Sequence, residues 1–263
     1  MNKYLIAIIS ALIFINVYGQ KVEEHKLFYE NGQVQAVGML RDSVPIGEWK
    51  IYRENGKLFS VGSFLDGEKT GEWTKYYENG RINSTESFIN GLQSGKRITY
   101  FENGQIRASE SFLNGVGEGE FKEYHSNGQL KTIVNYSNNE IVGEWKEYWN
   151  NGQLMHIESY SGGKREGEWK KYQPNGGLSE IGSYTNGAKN GEWKEYHLNG
   201  KIRTVTNYSN DVLNGEFNHY YDNGRLLKIG SYLNGKKNGE WKEYRSDGQI
   251  NIIENYTNGV KKL

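Results

Sequence analysis

The stretch Gly62-Ser63-Phe64-Leu65-Asp66-Gly67-Glu68-Lys69-Thr70-Gly71-Glu72-Trp73-Thr74-Lys75-Tyr76-Tyr77-Glu78-Asn79-Gly80 decides the fold. It holds two turn signals, Asp66-Gly67 and Asn79-Gly80, with β-favouring residues around them. Asn-Gly or Asp-Gly between such residues marks a hairpin, because both positions accept positive φ. The segments between turns are too short, and too often broken by glycine, to be helices.

Outward from this stretch, everything repeats. Asn79-Gly80 recurs at Asn31-Gly32, Asn55-Gly56, Asn103-Gly104, Asn127-Gly128, Asn151-Gly152, Asn175-Gly176, Asn199-Gly200 and Asn223-Gly224, and closes with Asp247-Gly248. Each step is 24 residues, with no insertion. Gly-Glu-Trp keeps the same period through Trp49, Trp73, Trp145, Trp169, Trp193 and Trp241, with Phe121 and Phe217 replacing Trp twice and Gly95-Lys96-Arg97 as the degenerate copy. A tyrosine follows three residues later, including Tyr148, Tyr172 and Tyr196. The second turn recurs as Asn90-Gly91, Asn114-Gly115, Asn186-Gly187, Asn234-Gly235 and Asn258-Gly259, each two residues after an aromatic.

Two turns per unit mean two strands per unit. The expected fold is all-β, an elongated single-layer antiparallel β-meander of about ten tandem 24-residue hairpin repeats, with about 20 strands. Leu58, Val61 and Phe64 lie three apart, which strict strand alternation does not explain. Either both faces carry apolar groups, or a bulge shifts the register.

Composition agrees. The 263 residues include 34 Gly and 20 Tyr but only 2 Pro and no Cys. A mean hydropathy of -0.82 is too polar for a thick core, while 14% aromatic residues is too many for a disordered chain. The 32 basic and 32 acidic residues cancel without long runs of one sign. That argues against a nucleic-acid partner and against contact with anionic membrane lipid.

The first residues read as a secretory leader: Lys3, then an apolar stretch Leu5 to Val17, then Val17-Tyr18-Gly19 before a cut at Gln20. The expected organisation is a signal peptide at 1–19 and a repeat domain at 20–263. The mature protein is then exported, periplasmic or extracellular. The alternative is an uncleaved anchor. Without cysteine there is no lipoprotein attachment and no disulfide.

The run Gly62 to Trp73, followed by Tyr76-Tyr77-Glu78-Asn79-Gly80, resembles the MORN repeat, whose motif is Gly-x-aromatic-x-Asn-Gly-x-x-x-Gly-x-Gly followed by an aromatic and a further turn glycine. The sequence departs from that motif at Trp73, where the family has glycine, and its unit is slightly long. It is similar to the bacterial MORN variant grouped with YwqK-family antitoxins, over residues 25–260. The resemblance implies a twisted meander of hairpins that acts as a scaffold or adhesion surface. The antitoxin grouping implies neutralisation of a partner protein. With the leader, that becomes an exported immunity-like role.

Catalytic chemistry finds little footing. His125 and His197 share a repeat position three units apart, about 30 Å by strand spacing, so they cannot share a metal or a proton. His25, His156 and His219 read as ordinary sheet histidines, and three or four converging zinc ligands are not apparent. The Gly-Glu-Trp glutamates form a ladder of identical sites, whereas an acid–base pair needs two different environments. Cross-strand pairing with the lysines two residues on is the expected use of that ladder. No cofactor and no metal are expected, and no enzymatic activity.

The candidate binding surface is the aromatic ladder: Trp49, Trp73, Trp145, Trp169, Trp193 and Trp241, with Tyr148, Tyr172 and Tyr196. Either these rings are the small core of each unit, or one set stays exposed as a platform. Two functions follow: a protein-interaction scaffold for an unidentified partner protein, or a cell-envelope glycan-binding module stacking sugars at about 10 Å intervals.

Overall fold

The computed structural model describes Gly19 and residues 21–262. The expected leader lies outside the described residues except for Gly19. The chain divides into two compact units, Met1–Gly128 and Gln129–Leu263. Among the described residues there are 23 strands and no helix. Within each unit, successive strands pair antiparallel with their neighbours in sequence. The count exceeds 20 for simple reasons. Val116–Gly117 and Gly119–Tyr124 are one strand interrupted at Glu118, Lys164–Arg165 and Gly167–Tyr172 are one interrupted at Glu166, and Val260–Lys261 is a short final strand.

The two turn signals build different turns. At the second turn both residues take positive φ, as at Asp66 (φ 49°) and Gly67 (φ 85°), and Leu65 pairs with Glu68 across them. This is the expected two-residue hairpin. At the first turn the expectation of two positive-φ residues needs correction, because only the glycine has positive φ, as at Gly32 (φ 83°). Gly32 N donates to the Tyr29 carbonyl (3.0 Å) and Tyr29 N to the Gln33 carbonyl (2.8 Å). The Asn31 side chain accepts from Gln33 N at 2.9 Å instead of bending the backbone. Asparagine serves the first turn as an acceptor and the second as a residue that tolerates left-handed backbone.

First turns are also tied from one repeat to the next. The Tyr29 hydroxyl donates to the Tyr52 carbonyl (2.7 Å), Arg53 to Tyr76 (2.7 Å) and the Tyr77 hydroxyl to Tyr100 (2.6 Å). In the second unit the Tyr221 hydroxyl donates to Tyr244 (2.9 Å), and His197 Nε2 lies 2.9 Å from the Tyr220 carbonyl. The residue type at this position varies, but a side-chain donor long enough to reach the next strand recurs.

The glycine of Gly-Glu-Trp makes a bulge. Ile46 pairs with Met39 and Lys50 with Val37, so Gly47, Glu48 and Trp49 together face Gly38. Gly47 takes φ 64°, a left-handed conformation suited to glycine. A second register shift separates Ile51 and Tyr52, opposite Phe59. Both devices left open by the Leu58, Val61, Phe64 spacing therefore operate. A bulge lies between Leu58 and Ser60, and Val61, paired with Lys50, points away from the face that holds Phe64.

The core is thin and lies mainly on the tryptophan face. A Cβ placed on Gly62 would lie 2.1 Å from the Trp73 ring, and one on Gly38 would lie 2.2 Å from Trp49. Gly182 stands in the same relation to Trp193 (2.1 Å) and Gly230 to Trp241 (2.2 Å). Each indole lies flat against bare backbone supplied by the glycine eleven residues earlier. Aromatic neighbours meet it edge-on, as Phe64 meets Trp73 at 5.0 Å and 83°. Burying one such ring contributes up to about 5 kcal/mol by area, which makes the Gly–Trp pair the main apolar stabiliser of its repeat.

Candidate binding face

The structure divides the sequence-predicted ladder. Trp49, Trp73, Trp193 and Trp241 are only 7%, 2%, 3% and 2% exposed, so they are core and offer no open face to a ligand. For these four, the platform expectation is replaced by a packing role, and the reason is the glycine beneath each ring. Trp145 and Trp169 stay half-buried. Val134 and Glu158 occupy their glycine positions, and a side chain there leaves no room for a flat indole. Tyr148, Tyr172 and Tyr196 are half-buried at strand ends.

Around Trp145 and Trp169 the second unit gathers groups that the sequence left scattered. Glu158 is 3% exposed. Its Oε1 accepts from the Tyr160 hydroxyl at 3.0 Å and lies 3.6 Å from His156 Nε2, and its Oε2 faces Arg165 Nε at 2.8 Å. His156 Nδ1 lies 3.3 Å from Glu147 Oε2. Burial pushes the Glu158 carboxyl upward, but hydrogen bonds from His156 and Tyr160 and the charge of Arg165 outweigh it and leave it below the usual carboxylate value. Burial, reinforced by Glu158, raises the Tyr160 phenol. The imidazole of His156 sits 6.4 Å from Trp145 and 6.5 Å from Trp169, and Trp169 lies 5.4 Å from Trp193.

Sequence reading missed Glu158, Tyr160 and Arg165 and set His156 aside. The available signal was Glu158 standing where glycine seats a tryptophan. Farther along this face lie the pairs Lys189–Glu180 (3.6 Å), Arg203–Glu195 (2.6 Å) and Lys228–Glu243 (3.5 Å). Among the described residues, no group of three or more His, Cys, Asp or Glu is placed to hold a metal ion.

The degenerate repeat now has a physical account. Glu86 occupies the glycine position there, and Arg97 replaces the tryptophan. Arg97 lies 3.8 Å from Glu86 and 3.2 Å from Glu110, and Lys75 lies 2.9 Å from Glu86. A glycine–indole contact has been exchanged for an ion-pair network.

The opposite face carries the Gly-Glu-Trp glutamates and their lysines. The expected cross-strand pairing is replaced by pairing within one strand, because residues two apart share a face. Glu144–Lys146 (2.6 Å), Glu192–Lys194 (2.6 Å) and Glu240–Lys242 (2.6 Å) are of this kind. The hydrogen bond that each of these lysines donates to its glutamate raises its pKa. Such solvated pairs contribute little to stability.

Nine consecutive segments match the sequence profile of the MORN repeat variant: residues 45–66, 69–90, 93–114, 117–138, 141–161, 165–186, 189–210, 213–234 and 237–258. No curated protein matches the sequence. Among solved structures, a chain from the crystal structure of TcdB2-TccC3-Cdc42 aligns at 13% identity and a TM-score of 0.21 over 89% of this chain, which spans only 15% of that one. A porin-like protein from Bacteroides uniformis aligns at 10% identity and a TM-score of 0.20, over 94% of this chain and 89% of its own.

Proposed function

Because the chain belongs to the MORN repeat variant family, we propose that it is a non-enzymatic binding protein whose second-unit tryptophan face docks a partner protein. The supporting observation is the combination on that face of half-exposed Trp145 and Trp169 with an ordered set of ion-paired side chains. Aromatic anchors beside arginine and fixed polar groups are what protein interfaces use for affinity and orientation. The leader-like first residues support export, and with it a periplasmic or extracellular immunity-like role in which the partner is neutralised by being bound. Determination of the mature N-terminus tests export, with Gln20 as the expected first residue.

The docking test is crosslinking in the producing cells followed by capture of the full chain. A stoichiometric protein partner is expected with the wild type and with Lys194→Ala on the other face. A Trp169→Ala, Lys171→Glu variant that remains folded should lose it, because Lys171 is the exposed basic residue two places after Trp169 on the same face. Recovery of no stoichiometric partner overturns the reading.

A second reading is a cell-envelope glycan laid along Trp145 and Trp169, favoured because these two indoles of the six keep ring surface exposed. Cosedimentation with peptidoglycan sacculi, lost in a folded Trp145→Ala, Trp169→Ala variant, would support it. Absence of pelleting removes it for peptidoglycan.

A further inference from the structure

The repeat carries its own template for cation binding. Lys69 Nζ lies 4.4 Å from the Trp73 ring centroid and 5.0 Å from Phe88. Lys189 Nζ lies 3.8 Å from Trp193 and 5.4 Å from Tyr208, and Lys237 Nζ lies 4.6 Å from Trp241 and 4.8 Å from Tyr256. In each case the lysine precedes its tryptophan by four residues. An ammonium is thus held against two rings, a favourable arrangement that strengthens as water is excluded.

The Trp241 repeat reproduces the Trp145 repeat nearly group for group. The Tyr256 hydroxyl donates to Glu254 Oε2 at 2.8 Å, as the Tyr160 hydroxyl donates to Glu158 Oε1 at 3.0 Å. Lys261 stands 2.9 Å from Glu254, as Arg165 stands 2.8 Å from Glu158. The two repeats differ at Val134 against Gly230 beneath the ring, at His156 against Ile252, and, for the cation, at Ile141 where the Trp241 repeat has Lys237. Of the second-unit Gly-Glu-Trp tryptophans, Trp145 alone lacks a basic residue at that position, since Trp169 has Arg165, Trp193 has Lys189 and Trp241 has Lys237. Its ring partner Tyr160 lies 6.1 Å away. The titratable groups facing this place are Glu147, His156, Glu158 and Arg165, and they bring two carboxylates against one permanent cation.

We infer that the Trp145–Tyr160 ring pair is a receptor for the ammonium of a lysine side chain supplied by the docked partner. The inference rests on the protein-docking reading of this face and adds its chemistry. The partner's ammonium takes the place that Lys237 fills in the Trp241 repeat, with Glu147 and Glu158 as its counter-charges.

The test uses the full chain and two small probes, N-acetyl-lysinamide and the uncharged N-acetyl-norleucinamide, titrated against the assigned indole N–H resonances. The Trp145 resonance is expected to shift saturably with the lysine probe, with an affinity about two- to fivefold above that for the norleucine probe. Ile141→Lys supplies the cation internally and should abolish the shift. It should also fold, because lysine stands at the equivalent positions 69, 189 and 237. Equal response to both probes, an unchanged response in Ile141→Lys, or no response overturns the inference. Partner capture separates the two readings. A partner retained by Ile141→Lys but lost by Trp169→Ala, Lys171→Glu leaves the docking face standing and sinks the lysine receptor. A partner captured by every variant alike sinks the docking face.

Discussion

At the scale of single residues, one glycine per repeat decides whether a tryptophan is core or surface. Gly62→Ala places a methyl 2.1 Å from the Trp73 ring, so the ring must leave. The expected cost is about 2–3 kcal/mol, measured by urea unfolding, with a red-shifted and more quenchable tryptophan emission. The converse is Val134→Gly. It should let Trp145 seat, shifting its emission to the blue, at a backbone cost of about 0.5–1 kcal/mol. Glu158 tests the charged alternative. Its lowered pKa means that its contribution is present above the ordinary carboxylate value of 4.5 and is lost as pH falls through the lower folded value. Glu158→Gln should cost about 1–3 kcal/mol at pH 7, and the gap to wild type should close as the solution is acidified. The tryptophans themselves were legible in the sequence, but their burial was not. The residue that controls it lies eleven positions away, across a bulge that sets three residues against one, and neither helical nor strand periodicity links such a pair.

At the scale of strands and turns, the turn positions were legible because asparagine and glycine have few other uses between β-formers. The division of labour between the two turns was not, since one dipeptide serves both. Alanine separates them. In Asn90→Ala, a residue at φ 47° loses a side chain that tolerates that backbone, and the expected cost is about 1–2 kcal/mol. In Asn79→Ala, only the acceptor for Arg81 N is lost, a 3.0 Å bond at an exposed loop, for about 0.5–1 kcal/mol. Equal losses in urea titrations would mean that the turns are equivalent after all. The degenerate hairpin calls for a double-mutant cycle. Arg97→Trp alone sets an indole against Glu86, whose side chain is 10% exposed and keeps Lys75, and takes the arginine from Glu110. Glu86→Gly alone removes the partner of Lys75 and leaves Arg97 with Glu110 only. Together they rebuild the glycine–indole pair seen at Gly62 and Trp73. A favourable coupling of about 1 kcal/mol or more is expected, and additive losses would show that the exchange is not between these two residues.

At the scale of the whole chain, the unbroken 24-residue frame is itself the fold's specification. Within each unit each repeat meets only its neighbouring repeats, so stability should behave as a sum of repeat terms and nearest-neighbour terms, without a central core that must be complete. What the frame protects is parity. Because side chains alternate, a slip of one residue would turn the next indole away from the glycine eleven residues before it and set the two sides of the junction facing opposite ways. Two deletions in the second unit put this to the test. Removing the 24 residues Gly191–Asn214 joins Asn190 to Gly215, and Phe217 then falls over Gly182 in the position Trp193 now holds. That protein should keep its β-sheet circular dichroism and cooperative urea unfolding, with an m-value reduced in rough proportion to the surface removed. Removing the 23 residues Gly191–Leu213 leaves almost the same composition but breaks parity at the junction. It should unfold at markedly lower urea, because Phe217 no longer falls over Gly182. If the two deletions proved equally stable, composition and not register would be holding the sheet together.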